Sequence, residues 1–301
     1  MLAAAAELGY HVNQVARSLR TSRTKTIGLL LSDVRNPFFA EVAHTVDQAA
    51  AEHGFTVITM STDERSDRQA ACVAALVRQQ VEGLLVVPQG GQPLEGVPAS
   101  LPVVLIDRRL DDGRAPVVQS DNTGGSRQMV DHLVAVGHRD IAIIAGPQST
   151  STGTERLAAT LGRLADHGCT PRPEWVVEGD FQLATGRSAA GQLMDSPHRP
   201  TVVFAGDNLM AVGALIAARE RGVRVGRDLA LVSFDDTDWF PVLDPALTVV
   251  AQDVRGIGRT ALSTLLAVIG GEQGADSTLP TRLLVRQSCT LPTPTPHRST
   301  T

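Results

Sequence analysis

The chain has 301 residues, 43% of them hydrophobic and 20% charged, the proportions of a globular protein long enough for two domains of common size. The net charge is −5, but Arg17, Arg20, Arg23 and Lys25 stand between Leu8 and Ser32 with no acid among them, so the rest of the chain carries −9. Such a basic end on an acidic body is expected either of a segment that meets a polyanion or of a solvated linker. With aromatics at 3%, the core has to be built from Ala, Val, Leu and Ile. No run approaches the roughly 18 apolar residues of a membrane span. The apolar start, Met1 to Leu8, precedes its cations, the reverse of an export signal, so a cytoplasmic protein is expected. Cys72, Cys169 and Cys289 lie far apart with no CxxC or CxxH spacing, which suggests neither a zinc site nor a disulfide framework but small buried hydrophobes.

In chain order, Asn13 is a good N-cap for a short helix, Gln14 to Arg20, with Val15 and Leu19 on one face. A helix this short is marginal alone in water and needs a partner to bury that face. Apolar runs at Thr26–Leu31, Phe55–Met60, Gly83–Val87, Val103–Ile106, Ile141–Ala145, Thr201–Phe204 and Leu229–Phe234 read as strands. Between them lie helical patterns at Pro37–His53, Ser66–Gln79, Thr123–Val136, Gly153–His167, Ala184–Met194 and Asp207–Arg221, several ended by a glycine such as Gly54, Gly137, Gly168 or Gly222. Fully apolar strands alternating with amphipathic helices predict an α/β fold of doubly wound parallel sheets covered on both faces. The pattern is long enough for two such sheets, with a break near Ser120–Gly125. The later stretch Leu247–Ile269, strand-like and then helical, is expected to return to the first sheet. The last residues, 290–301, are rich in Pro and Thr and read as a disordered tail. Two sheets with a cleft between them place a ligand at the carboxyl ends of the strands.

No known catalytic constellation emerges. The chain holds no GxSxG elbow, GxxxxGK[ST] loop or HExxH helix. "HRD" at His138–Asp140 lacks the downstream Asn and the glycine-rich loop of a kinase, and reads as a turn before a strand. "DNTGG" at Asp121–Gly125 has the make-up of an anion seat at a helix start or of a simple crossover. No cofactor or metal is implied, and an enzyme is disfavoured.

An ordered series of segments resembles the LacI/GalR family of transcriptional regulators. It runs through "LAAAAELGYHVNQVARSLRTSRTKTIGLL", "NPFFAEV", "VEGLLVVP", "VVLIDRRL", "GHRDIAIIAGP", "LALVSFDD", "DPALTVVAQDVRGIGRTA" and "RLLVRQSC", from Leu2 to Cys289. The resemblance implies a helical headpiece remnant plus hinge helix over 1–25. An N-terminal subdomain would span 26–121 and 253–278, and a C-terminal one 122–252 and 279–289, together forming a periplasmic-binding-protein-like effector domain. It implies a homodimer whose paired hinge helices enter the operator minor groove, where Leu19 wedges into a base step. Asn13, Val15, Ala16, Arg17, Leu19, Arg20 and Arg23 would then touch DNA, the arginines at phosphates without reading sequence. Members of the family carry a helix-turn-helix ahead of this point. The chain begins inside what resembles the third headpiece helix, so the coding sequence upstream of Met1 is expected to encode the recognition helix in frame.

The same resemblance places a small-molecule cleft. Phe38 and Phe39 open a helix after the first strand and either stack on a ligand or pack in the core. Asp107 ends the fourth strand, free to accept from hydroxyls or to pair with an arginine. Thr152 and Arg156 lie in the first turn of a helix, and Arg156 matches the family's cleft arginine, whose forked donors fit paired oxygens. "RLAAT" follows in place of the usual Arg-x-x-Gly-Phe. Phe181 resembles a pocket-lining aromatic of purine-responsive members, yet Thr150 stands where those have an arginine that helps recognise the base. Asp207 and Asn208 occupy a position where the family often has Asn-Asp, and Asp235 matches a common ligand-contacting aspartate. This set predicts a ligand-responsive regulator, in the first instance a repressor, whose effector is a sugar or sugar derivative. The competing expectation from the same fold is a sugar-binding protein of a transport system.

Overall fold

The computed structural model describes residues 24–91, 93–110 and 112–291. The short helix expected at Gln14–Arg20 and all but the first two residues of the expected tail 290–301 lie outside them. Two six-stranded sheets make up the described chain. The first has the strand order β11-β5-β4-β3-β1-β2: β1 (Thr26–Leu31), β2 (Thr56–Ser61), β3 (Gly83–Val86), β4 (Val103–Ile106), β5 (Val117–Ser120) and β11 (Ser277–Leu279). All its neighbours pair in parallel. The second has the order β12-β10-β9-β8-β6-β7: β6 (Ile141–Ala145), β7 (Val176–Glu178), β8 (Val202–Ala205), β9 (Ala230–Phe234), β10 (Thr248–Ala251) and β12 (Arg282–Leu284). Only β12 runs antiparallel, against β10.

Among the described residues, seven α-helices cover the faces: α1 (Pro37–Glu52), α2 (Ser66–Arg78), α3 (Asn122–Val136), α4 (Ser151–Asp166), α5 (Leu183–Asp195), α6 (Asn208–Glu220) and α7 (Val254–Ile269). Each sheet is therefore buried on both sides, which is why its central strands are continuous apolar runs: β1, β3, β6, β8 and β9 are buried almost throughout. Around the first sheet, Leu29, Val42, Val104 and Leu262 pack on one face and Leu30, Val73, Leu84 and Leu105 on the other. Around the second, Ile144, Leu193, Ala214 and Leu231 pack on one face and Met129, Ile143, Leu164 and Val232 on the other. Each fully buried Leu or Ile contributes about 1.5–3 kcal/mol. Cys72, Cys169 and Cys289 are buried and free, as small hydrophobes.

Four short strands lie outside the sequence expectation: β5, which is four residues and ends in Gln119 and Ser120, β7, a three-residue, half-exposed edge, and the three-residue β11 and β12. Residues 248–251 do not return to the first sheet, because β10 pairs with β9 of the second and only α7 packs back on the first, against α1. The chain thus passes between the sheets three times: after β5, between β10 and α7, and between β11 and β12. Among the described residues, no helix is long and apolar enough to cross a membrane.

Candidate functional site

The carboxyl ends of the strands in both sheets face a common cleft, and the turns that leave them supply its polar groups. Asn36, just after β1, caps α1: its Oδ1 accepts the Phe38 amide at 3.0 Å, and Pro37 opens the helix without needing a donor partner. Asp207, just after β8, caps α6 through Oδ1, which accepts the Met210 amide at 2.8 Å. Thr150 caps α4, its Oγ1 accepting the Gly153 amide at 3.2 Å. Three helix starts therefore converge on the cleft. Two of them touch across it, because Asn208 Nδ2 donates to Asn36 Oδ1 at 2.9 Å. A second clasp forms where the Arg109 amide donates to Ser151 Oγ at 3.0 Å and the Arg109 side chain pairs with Glu155.

Between these contacts lies a central cavity of about 20 Å³, room for a water rather than a ligand. Phe38, Phe39, Asp107, Thr152, Arg156, Phe181, Asp207 and Asp235 all line it. Asn208, the remaining sequence candidate, lies beside the cavity and is spent on the clasp with Asn36. Phe38 and Phe39 meet edge to face, centroids 5.0 Å apart, and belong to the apolar core of the first sheet as well as to the cavity wall. Arg156 is fixed by three partners: its Nε donates to Asn122 Oδ1 at 2.9 Å, its Nη1 donates to the Gly206 carbonyl at 2.9 Å, and its guanidinium lies 3.7 Å from the Phe234 ring centre. Its Nη1 stands 3.8 Å from Asp235 Oδ2, an ion pair without a hydrogen bond.

Sequence reasoning missed four lining residues: Asn36, Glu64, Arg108 and Gln252. Asp107 does not pair tightly with its neighbour, since Arg108 Nε is 3.7 Å from Asp107 Oδ2. Arg108 turns instead to Glu64 in a bidentate pair of 2.7 and 2.8 Å, adds Gln89 Oε1 at 3.3 Å, and lies 5.3 Å from the Phe181 ring centre. Glu64 comes from the turn after β2, 44 residues before Arg108, so nothing local in the sequence signals the pair. Gln252 donates to Asp235 from the end of β10. The helix start at Asp121, one of two readings of "DNTGG", is occupied by its own cap: Asp121 Oδ1 accepts the Gly124 amide at 2.7 Å, so the crossover reading holds.

Backbone strain collects here. Asp107, Phe181 and Asp235 have φ of 65, 61 and 68°, and Asp63 and Glu64 at the cleft mouth have 55 and 57°. Left-handed backbone is costly for a bulky residue such as Phe, and it persists where surrounding structure holds it, commonly at binding sites. Gly146 is part of that support: a Cβ there would sit 2.2 Å from Phe181 Cζ. Burial also acts on the carboxyls. It pushes Asp207 up to about 7, opposed by the Met210 amide and then by Arg156, and it pushes Asp107 up to about 6, opposed by Arg156 and Arg108. Asp235 is raised by the same burial, opposed by Arg156 and Gln252.

A wider mouth of about 900 Å³ opens beside the cavity, sharing Glu64 with it and reaching Thr150, Gln89 and Gln182. The arrangement is that of a binding cleft: buried acceptors and forked donors against aromatic walls, closed by hydrogen bonds from two sheets.

Comparison with known proteins agrees with this geometry. Residues 130–289 match the family described as a periplasmic binding protein-like domain. The HTH-type transcriptional repressor PurR of Proteus mirabilis (strain HI4320) is 37% identical over 270 residues, covering 88% of this chain and 79% of that protein. The lac repressor dimer bound to operator and the anti-inducer ONPF superposes with a TM-score of 0.84 at 29% identity, over 96% of this chain and 88% of that one. A complex of the transcriptional regulator CelR with cellobiose gives 0.79 at 30% identity, over 91% and 89%. With that identity over most of both chains, and with the same two-sheet architecture, the chain belongs to the LacI family of ligand-responsive transcriptional repressors, and its two sheets form the effector-binding unit.

Proposed function

We propose that the cleft binds a hydroxyl-rich small molecule, a sugar or sugar derivative, and that occupancy sets the affinity of a dimer for operator DNA. The observation that carries this is the facing set Asp107, Arg156, Asp207 and Asp235 around Phe181. Carboxylates accept from hydroxyls and a fixed guanidinium donates to vicinal oxygens, a polar constellation that suits a polyol better than a flat apolar ring. Thr150 supports the same choice, since it supplies a short hydroxyl at the mouth, spent on capping α4, where a long donor would be needed to reach a base. The solved relative holding cellobiose fits this reading, while the repressor PurR represents its main rival. The site binds rather than catalyses: its carboxylates face arginines and amides, with no nucleophile poised beside a base among the described residues.

The link to DNA is proposed through residues outside the described part of the chain. Asn13, Val15, Ala16, Arg17, Leu19, Arg20 and Arg23 would form a hinge helix that folds on the operator, Leu19 entering the minor groove and the arginines meeting phosphates. β1 (Thr26–Leu31) begins three residues after Arg23, and the turn that leaves it carries Asn36 into the cleft, so one strand joins the segment to the cleft. A ligand that changes cleft closure thereby shifts hinge pairing in a cytoplasmic homodimer. Calorimetry over neutral sugars, amino sugars, sugar phosphates and purines tests the ligand class. Binding of a sugar or sugar derivative supports the reading, and binding of purines while every sugar fails overturns it.

A further inference from the structure

The charges lining the cleft do not balance. Glu64, Asp107, Asp207 and Asp235 surround the central cavity with Arg108 and Arg156 as the only cations in its lining. Arg108 is engaged by Glu64 in a bidentate pair. Arg156 spends its hydrogen bonds on Asn122 and the Gly206 carbonyl, leaving Asp235 at 3.8 Å. Asp107 meets no cation closer than Arg108 Nε at 3.7 Å, beyond hydrogen-bond distance. Asp207 is the most telling: it is 3% exposed and lines the cavity, yet Oδ2 has no hydrogen-bond partner while Oδ1 is used by the helix cap. A buried carboxylate oxygen left without a donor is costly unless something supplies one. The mouth repeats the imbalance. Asp63, Glu64, Asp67, Glu95 and Asp180 line it against Arg65, with Asp67 paired to Arg65 and Asp63 to Arg68 outside. A mouth and cavity of one sign raise the local concentration of the opposite charge.

We propose that the effector is a cation whose ammonium group takes the vacant acceptors of Asp207 and Asp107. On the carbohydrate reading above, on which this refinement rests, that makes it an amino sugar or an amino polyol. Anionic sugar derivatives are excluded by the same charges. In the absence of ligand, Asp207, pushed up to about 7, holds a proton for part of the time at neutral pH, which eases the repulsion, while Asp107, at about 6, is mostly ionised. An ammonium favours the ionised form of Asp207, so binding near pH 7 releases a fraction of a proton. The groups facing it are Glu64 from the turn after β2, Asp107 and Arg108 from the turn after β4, Asp235 from the turn after β9 and Arg156 from the first turns of α4.

The test is calorimetry near neutral pH with matched probes: glucosamine against glucose, and N-methylglucamine against sorbitol, with putrescine and glucose 6-phosphate alongside. The expected result is that each amine binds at least about tenfold tighter than its neutral parent, the worth of one charge-assisted hydrogen bond. Asp207→Asn, which keeps the helix cap, should narrow that gap to about twofold or less. Neutral parents binding as well as the amines, glucose 6-phosphate binding in preference, or no amine binding at all would each overturn the inference. Putrescine binding while every sugar fails would uphold the cation and overturn the carbohydrate reading instead. Neutral sugars binding while amines fail would do the reverse.

Discussion

At the scale of single residues, the cleft is made of groups held against their preferences. Asp207 keeps a carboxyl in a site that raises it from 3.8 to about 7. Below about pH 4 the acid is neutral both folded and unfolded, and burial costs little. As pH rises through about 7, the folded state has to charge a buried group that the unfolded state charges freely, so the stability present at low pH is lost. Asp207→Asn retains the cap and removes that charge. Thermal unfolding should show the variant more stable than wild type around pH 8, with the gain shrinking towards pH 5. A gain independent of pH would show that Asp207 is not titrating there. Gly146→Ala acts on shape alone: the new methyl meets the Phe181 ring, and Phe181 is already in left-handed backbone. It should lower stability by about 1–3 kcal/mol in denaturant unfolding. Asp107 and Asp207 were legible where an apolar run ends, whereas Arg156, Phe181 and Asp235 were legible through resemblance to the family rather than through local pattern. The Glu64–Arg108 pair was not, since its members are 44 positions apart and meet only through the sheet.

At the scale of elements, capping does the organising. Asn36, Thr150 and Asp207 each follow a strand and cap the helix after it, and the cleft is where those helix starts meet. Sequence periodicity found the long helices and central strands because their burial pattern is strong. It missed β5, β7, β11 and β12, which are three or four residues long, and periodicity alone left the sheet of β10 open because four apolar residues carry no address. On the far side of the second sheet, α5 and α6 touch backbone to backbone. A Cβ at Gly213 would lie 2.3 Å from the Leu183 carbonyl oxygen, and one at Gly186 2.4 Å from Met210 Cα. Gly213→Leu should therefore lower the melting temperature markedly while leaving the cleft residues in place. Across the cleft, Asn208→Ala removes the donor to Asn36 and leaves a buried acceptor with one fewer partner, a loss of about 1–3 kcal/mol in closure. Small-angle scattering should report a larger radius of gyration for this variant than for wild type without ligand. An unchanged radius would mean that the clasp does not set closure.

At the scale of the whole molecule, three crossings tie the two sheets, so closure is a hinge motion of two stiff bodies rather than a local rearrangement. The central cavity holds only about 20 Å³ in this state, and a ligand has to open the clasps before it can take their place. On the proposed function, the first strand is the element that links this closure to the basic segment ahead of it. In the full repressor, Leu19→Ala should weaken operator binding, and raising salt should weaken it steeply through loss of phosphate contacts. The central claim is that a small molecule binds between the two sheets against Arg156. The most direct measurement is calorimetric titration of a ligand found in the screen against wild type and Arg156→Lys, with thermal unfolding to confirm that the variant is folded. We predict that the substitution, which destroys the forked donor while keeping the charge, weakens binding at least about tenfold. Equal affinities in two folded proteins would contradict the assignment of the cleft.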